Sequence, residues 1–512
     1  MADAVIFCGY QPKIKTKPSG AYITANVFRD CGYSAIVIDH AHKLSDTQLS
    51  TLIAKFVTDK TKYIGFSTTL FDSYVNDLDT EFKHVFDKCK EINPSATYII
   101  GGSRIIHGYR TKLLFDYGII GQAESTLLAL LRHIEYKDPI HVSEEVNNVK
   151  YISDTIYGYD TYNSSEHSKF TEYDAVRPNE TLPLEFGRGC VFKCSYCTYD
   201  LIGKNFGDYT KTEEAMYSVL MHNYEKFGTT RYMLTDDTIN DSLEKALLLE
   251  KIVNRLPFKF EFGGYMRLEL FHKHPEMIEI YKNCGIRGAK FGIETFNKKA
   301  GLTVGKGFGE KAKDVLEDLY KGWGDSASIS VNFLVGLPYD TLQDLENQVQ
   351  WLEKTNVVGN CAFNYLRIWK NDKNGFNYKP ELINYYTDMS PDDGSIFSNW
   401  ASPIMNYNQC KELCDEMFDR VIATRNTYVS KYDAFSIPIL MEKLPAKMLN
   451  LPLNKGLNKI VFDNFFDRLS DIYYDDLMKI NNPVETDPKL LHIPVIPAHT
   501  NVFQSKLVYK KM

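Results

Sequence analysis

The chain has 512 residues, which at roughly 100–200 residues per domain bounds it to about three domains. Hydrophobic residues make up 44% and charged residues 24%, an ordinary globular balance, and no run of about 18 apolar residues is present to cross a membrane. The net charge of −7 gives no global attraction to nucleic acid, and the N-terminus lacks the basic and long apolar stretches of a signal peptide, so the cytoplasm is the default compartment.

The first 140 residues alternate short apolar runs with helical patterns. The runs are Ala4–Tyr10, Ser34–His40, Tyr63–Leu70, Thr97–Gly102 and Tyr117–Gly121. Continuous apolar strands separated by helices predict a parallel sheet covered on both faces. The class is α/β, and the first domain (1–140) is doubly wound and flavodoxin-like, with ligands expected at the carboxyl ends of its strands. Residues 141–181 read as a linker, with turns and short strands at Tyr151-Ile-Ser-Asp and Tyr157-Gly-Tyr-Asp and loop at Arg177-Pro178-Asn179.

From Leu182 the alternation resumes, with strands predicted at Leu182–Gly189, Arg231–Asp237, Lys259–Arg267, Arg287–Glu294, Ser328–Leu337 and Cys361–Trp369. About six βα units in series predict a partial (β/α)6 barrel over 182–375, whose functional residues lie where strands end. Gly189-Cys190, Asp236-Asp237, Arg267, Glu294 and Gly336-Leu337-Pro338 all fall there. Residues 376–512 read as a mainly helical C-terminal domain, with helices at Gln409–Thr427, Pro438–Met448 and Phe462–Met478.

Of the ten cysteines, three are crowded: Cys190-Val-Phe-Lys-Cys194-Ser-Tyr-Cys197, spaced C-x3-C-x2-C after a predicted strand. Thiolates suit zinc or an iron–sulfur cluster. A structural zinc site needs a fourth ligand at short spacing, and none follows; three thiolates leave one position open. Cys410 and Cys414, four apart in a predicted helix, read as packing.

The C-x3-C-x2-C run with Tyr196 before its last cysteine resembles the signature of the radical S-adenosylmethionine (SAM) superfamily. The resemblance implies a 4Fe–4S cluster on Cys190, Cys194 and Cys197, SAM on its open iron, cleavage to a 5′-deoxyadenosyl radical, and an electron donor such as flavodoxin or ferredoxin. It implies SAM contacts at Tyr196, at Asp236 or Asp237, at Arg267 and Glu294, and at the Gly336-Leu-Pro turn. Each has a plain alternative: the aspartates as helix caps, Glu294 as a solvated strand end, Arg267 in a surface salt bridge.

In the first domain, Ser67-Thr68-Thr69, Gly101-Gly102 and Gly121-Gln-Ala-Glu124 end the third, fourth and fifth strands and resemble the cobalamin-binding domain that precedes many radical SAM cores. Small residues there let a corrin and its nucleotide tail approach the backbone. The resemblance departs at Gln122, where Glu is usual, and in the loop after the first strand, Tyr10-Gln-Pro-Lys-Ile-Lys, which has no cobalt-ligating His; His40 and His42 follow the second strand. The alternative is a degenerate scaffold. The order of domains resembles the cobalamin-dependent radical SAM group, and this implies methyl transfer to an unactivated carbon. The rivals are another radical reaction (rearrangement, ring contraction, oxidation) and a non-catalytic, metal-stabilised binding module. The substrate, a small molecule or peptide, is not legible; no aromatic and basic stripe argues for nucleic acid.

Overall fold

The computed structural model describes residues 2–9, 16–41, 43–69, 78–106, 108–157, 162–192, 194–197, 209–369, 382, 385–389, 397–424, 469–483, 486 and 488–496. The five predicted N-terminal strands form as β1 (Ala4–Cys8), β2 (Ala35–Ile38), β3 (Tyr63–Ser67), β4 (Thr97–Gly101) and β5 (Tyr117–Ile120), linked by helices α1 (Ser19–Asp30), α2 (Asp46–Phe56), α3 (Leu78–Ile92), the single turn α4 (Ser103–Ile106) and, after β5, α5 (Ala123–Tyr136). Residues 144–153, expected within the linker, instead form the strands β6 (Glu144–Val146) and β7 (Val149–Ser153). The β7 strand pairs parallel with β5, and β6 folds back on β7 as a hairpin. Tyr151–Ser153 of β7 fall where the sequence reads as turns and short strands, whereas β6 is three residues long and polar and shows no apolar run.

The sheet order is β2-β1-β3-β4-β5-β7-β6. It reverses direction between β1 and β3, which opens a crevice at their carboxyl ends. Alternation along β1 splits the core: Ala4, Ile6 and Cys8 face a cluster with Ala25 and Phe28 of α1 and Leu127 and Leu130 of α5, whereas Val5 and Phe7 face Leu52 and Phe56 of α2 and Phe82 and Phe86 of α3. Ser45 and Gln48 close a capping box at the start of α2.

After α6 (Asp154–Tyr157) the second sheet is assembled from β8 (Leu182–Leu184), β9 (Arg231–Leu234), β10 (Glu261–Met266), β11 (Ile286–Glu294), β12 (Ser328–Val335) and β13 (Asn360–Tyr365). All neighbours are parallel and the order is sequential, with β8 and β13 at the two edges, so the barrel is partial. Helices α7 (Glu213–Phe227), α8 (Leu243–Val253), α9 (Leu268–Lys273), α10 (Met277–Asn283), α11 (Lys298–Thr303), α12 (Lys311–Trp323) and α13 (Leu342–Lys354) connect them.

The described residues after 376 are mainly helical and pack on the two preceding domains. The short strands β14 (Ile368–Trp369) and β15 (Phe397–Ser398) pair antiparallel. Helix α14 (Tyr407–Thr424) lies against the barrel, where the Cys410 thiol donates to Val335 O at 3.2 Å and Arg420 pairs with Glu346 and Glu353 of α13. Helix α15 (Leu469–Lys479) returns to the first domain, burying Leu477 and Ile480 in the cluster beneath α2 and α3. The chain then runs along that domain: Thr486 donates to Asp3, the His492 amide to Cys31 O, and Arg132 to Ile493 O. The predicted helix Pro438–Met448 lies outside the described residues. No helix among the described residues is long and apolar enough to cross a membrane.

Candidate active site

The loop after β8 carries the three cysteines, all reduced and half-buried. Three different strand ends hold it. Cys190 Sγ lies 3.3 Å from Thr238 Oγ1 beyond β9. Arg267, after β10, donates from Nη1 to Cys194 Sγ at 3.5 Å. Ser195 donates to Thr303 O and, through its amide, to Val304 O at the end of α11, beyond β11. No group of three or more Cys, His, Asp or Glu side chains among the described residues is gathered to hold a single ion. A cubane cluster asks for less, since each thiolate binds a separate iron corner. The donor set, three thiols with a guanidinium against one sulfur, fits an anionic iron–sulfur cluster better than a closed zinc site.

Glu294 ends β11 in the left-handed region (φ +68), after a register shift at Gly292 that turns its side chain toward the cysteine loop. The Tyr196 hydroxyl donates to Glu294 Oε1 at 2.7 Å, and Lys306 Nζ stands 3.8 Å from the same oxygen. Burial pushes the Glu294 carboxyl up, partly offset by Lys306 and Tyr196. Arg267 also pairs with Glu269 at 3.0 Å and lies over the Phe192 ring. Tyr196, Arg267 and Glu294 are thus brought together around the thiols, as expected, and Lys306 joins them. Nothing in the sequence pattern marked Lys306, which reaches the site only through the turn after α11.

Two expected contacts are used otherwise. Asp236 is fully buried: Oδ1 accepts the Phe186 amide at 2.8 Å and Oδ2 pairs with Lys245 at 2.8 Å. Lys245 also reaches Asp241 and Thr238 O. This carboxylate ties the start of the loop after β8 to Lys245 of α8 and is buried in doing so; the adjacent Asp237 is only half-buried. Gly336 (φ +94) is covered by the C-terminal segment, for a Cβ there would lie 2.6 Å from the Trp400 ring, and Tyr386 donates to its carbonyl. Its role is to admit Trp400. Next to it, burial pushes the Asp340 carboxyl up to about 8, although Thr295 donates to it at 2.9 Å.

At the carboxyl ends of β1, β3, β4 and β5 lies a cavity of about 340 Å³. Ser67, Thr69, Gly101, Gly102 and Glu124 line it, as do Glu185 and Arg188 from the barrel side. Thr68 does not; its hydroxyl donates to Gly101 O at 2.8 Å and accepts the Arg104 amide. Gly102 (φ +101) makes the close approach possible, because a Cβ would meet the Thr68 and Thr69 amides at 2.9 and 2.8 Å. An apolar slot of this volume with glycine edges fits one elongated arm of a larger cofactor. Glu124 is paired with Arg188 at 2.7 Å; burial pushes its carboxyl up, but the guanidinium outweighs this and holds it at about 2. His40 does not line the cavity but stacks on Tyr473 of α15 at 4.2 Å. His42 and the loop 10–15 lie outside the described residues.

An open parallel barrel with three thiols at its first strand end and a glycine-edged, doubly wound domain beside it defines a class. Residues 184–352 match the model of the radical SAM superfamily, and this part of the chain is a radical SAM domain. Over most of its length the chain shares its fold with two solved proteins. It is similar to the radical SAM methyltransferase TsrM from Kitasatospora setae, solved with cobalamin and a [4Fe-4S] cluster bound (TM-score 0.59, 17% identity, 74% of this chain and 78% of that one). It is similar to the cobalamin-dependent radical enzyme OxsB with aqua-cobalamin and SAM bound (TM-score 0.58, 14% identity, 92% of this chain and 72% of that one). In sequence it resembles bacteriochlorophyllide d C-8(2)-methyltransferase from Chlorobaculum tepidum, 24% identical over 275 residues, which is 51% of this chain and 58% of that protein's length.

Proposed function

We propose that this chain is a cobalamin-dependent radical SAM methyltransferase that acts on an unactivated carbon of a small organic molecule. The observation that carries the reading is the shared wall of the two sites: Arg188 and Glu185, on the loop that leads to Cys190, line the same cavity as Gly101, Gly102 and Glu124. The relatives support it. One is named for methylation of bacteriochlorophyllide d, and TsrM has also been solved with tryptophan as substrate.

When bound, the cluster with SAM supplies reductive radical formation, and cobalamin supplies a transferable methyl group. Cys190, Cys194 and Cys197 would hold the cluster, with Arg267 donating to the Cys194 sulfur. Glu294, oriented by Tyr196 and flanked by Lys306, offers a buried carboxylate suited to a ribose hydroxyl or an ammonium group. The cavity at Gly102 would take the nucleotide arm of the corrin. An external low-potential protein, a flavodoxin or ferredoxin, would deliver the electron.

The test is anaerobic reconstitution with iron, sulfide and hydroxocobalamin, followed by SAM and reductant. The expected result is a brown, SAM-responsive cluster, retained corrin, and S-adenosylhomocysteine together with 5′-deoxyadenosine once the substrate is present. Gly102→Ala should lose retained corrin while keeping the cluster. Uptake of zinc without a cluster would overturn the enzyme reading; deoxyadenosine with no S-adenosylhomocysteine and no methylated product would overturn methyl transfer.

A further inference from the structure

Arg188 stands where the two sheets meet. Its Nε and Nη2 both lie 2.6 Å from the two oxygens of Glu185. Nη2 is also 2.7 Å from Glu124 Oε1, Nη1 donates to Gln122 Oε1, and the guanidinium lies 4.5 Å over the Tyr162 ring. Gln122 caps α5 and Glu124 is in its first turn, so both belong to the first sheet's domain. Glu185 and Arg188 belong to the strand-end loop of β8, five and two residues before Cys190. A planar guanidinium bound at both edges and over one face has a fixed orientation. Its backbone is fixed too, since the Arg188 amide donates to Tyr209 O at 3.0 Å.

Gln122, Glu124, Glu185 and Arg188 all line the N-terminal cavity. A ligand seated there packs on a wall that Arg188 and its partners form. It also excludes water from the ion pairs, which strengthens them. A ligand shifts an equilibrium only through its differential affinity for two states, and here the difference is built into the wall.

We propose that Arg188 is a positioning residue that transmits occupancy of the N-terminal cavity to the cysteine loop, so that a cofactor held against Gln122 and Glu124 restrains the backbone carrying Cys190. The inference rests on reading that cavity as a cobalamin site. It makes the order of the cluster loop depend on whether the second cofactor is in place.

The test is amide hydrogen exchange over residues 186–192 in the full-length, cluster-reconstituted protein, with and without hydroxocobalamin. In the unsubstituted chain, hydroxocobalamin should slow exchange about tenfold. Arg188→Met should lose the slowing at hydroxocobalamin concentrations that saturate it, with corrin uptake read from visible absorption. Arg188→Lys, which keeps the charge without the fork, should restore part of it. Glu124→Gln, which keeps the shape and removes the charge, should also lose the response and stands in if Arg188→Met does not fold. A residue that only supports the fold would raise exchange equally in both states and leave the tenfold difference intact; that result overturns the proposal. So does loss of corrin binding in both variants, which would make Arg188 a binding residue, and so does an unsubstituted chain that binds corrin without any slowing. An unsubstituted chain that takes up no hydroxocobalamin overturns the cobalamin reading of the cavity itself.

Discussion

The Tyr196 hydroxyl donates a 2.7 Å hydrogen bond to Glu294, tying the residue before the last cysteine to the end of the barrel's fourth strand. The pair joins the loop that would hold the cluster to the carboxylate that would face SAM. Tyr196→Phe removes the bond without removing the ring. Hydrogen bonds to charged groups contribute about 1.5–3 kcal/mol, so SAM affinity should fall by about tenfold or more while iron content stays unchanged. Titration of SAM against the electron paramagnetic resonance spectrum of the reduced cluster checks both; unchanged affinity would separate Glu294 from SAM.

Arg267 donates to the Cys194 sulfur. An N–H group on a cluster thiolate favours the reduced, more negative state. Arg267→Met should therefore make the cluster harder to reduce, lowering its midpoint potential by on the order of 50 mV. A redox titration decides it.

Asp236 and Lys245 form a buried ion pair 2.8 Å apart, with both side chains almost without solvent contact. Removing the Asp236 charge leaves Lys245 with the more distant Asp241 at 3.5 Å, so the cost is at most that of breaking a buried pair, about 3–5 kcal/mol. Asp236→Asn should lower the unfolding free energy of the cofactor-free protein, read from denaturant titration, by up to that amount. The double variant Asp236→Leu, Lys245→Met should recover much of the loss. A fully stable Asp236→Asn protein with impaired SAM binding would instead return Asp236 to the SAM site.

Glu124 gives the fold an acid limit. Burial alone would raise its carboxyl, but Arg188 prevails and holds it at about 2, below the unfolded value near 4.5. The unfolded chain thus binds the proton first as pH falls. The stabilisation is fully present above pH ~4.5 and is lost between ~4.5 and ~2; it is on the order of 3 kcal/mol. Glu124→Gln should flatten the pH dependence of stability in that window, measured by denaturant unfolding from pH 6 to 2.

The barrel and its cysteine loop were legible because continuous apolar strands and a tight thiol spacing are local properties. Glu294 and Arg267 were legible for the same reason, each ending a recognisable strand. Asp236 and Gly336 were misread because a strand-end position does not reveal what packs on it. Lys245 lies in the first turn of α8, beyond the loop that holds Asp236, and Trp400 comes from a segment with no pattern linking it to Gly336. Arg188 stands beside the cysteines in the sequence, yet its partners Gln122 and Glu124 lie in another domain, and no periodicity joins them. The Gln at 122, a departure from the expected Glu, is the acceptor that Arg188 uses.

The return of α15 to the first domain has a consequence for biosynthesis. Leu477 and Ile480 complete the apolar layer formed by Leu52, Phe56, Phe82 and Phe86. A chain emerging N-terminus first makes its first domain long before those two residues leave the ribosome. Until then that layer lacks those two residues of its cover, so the first domain completes its packing only when the last part of the chain has been made.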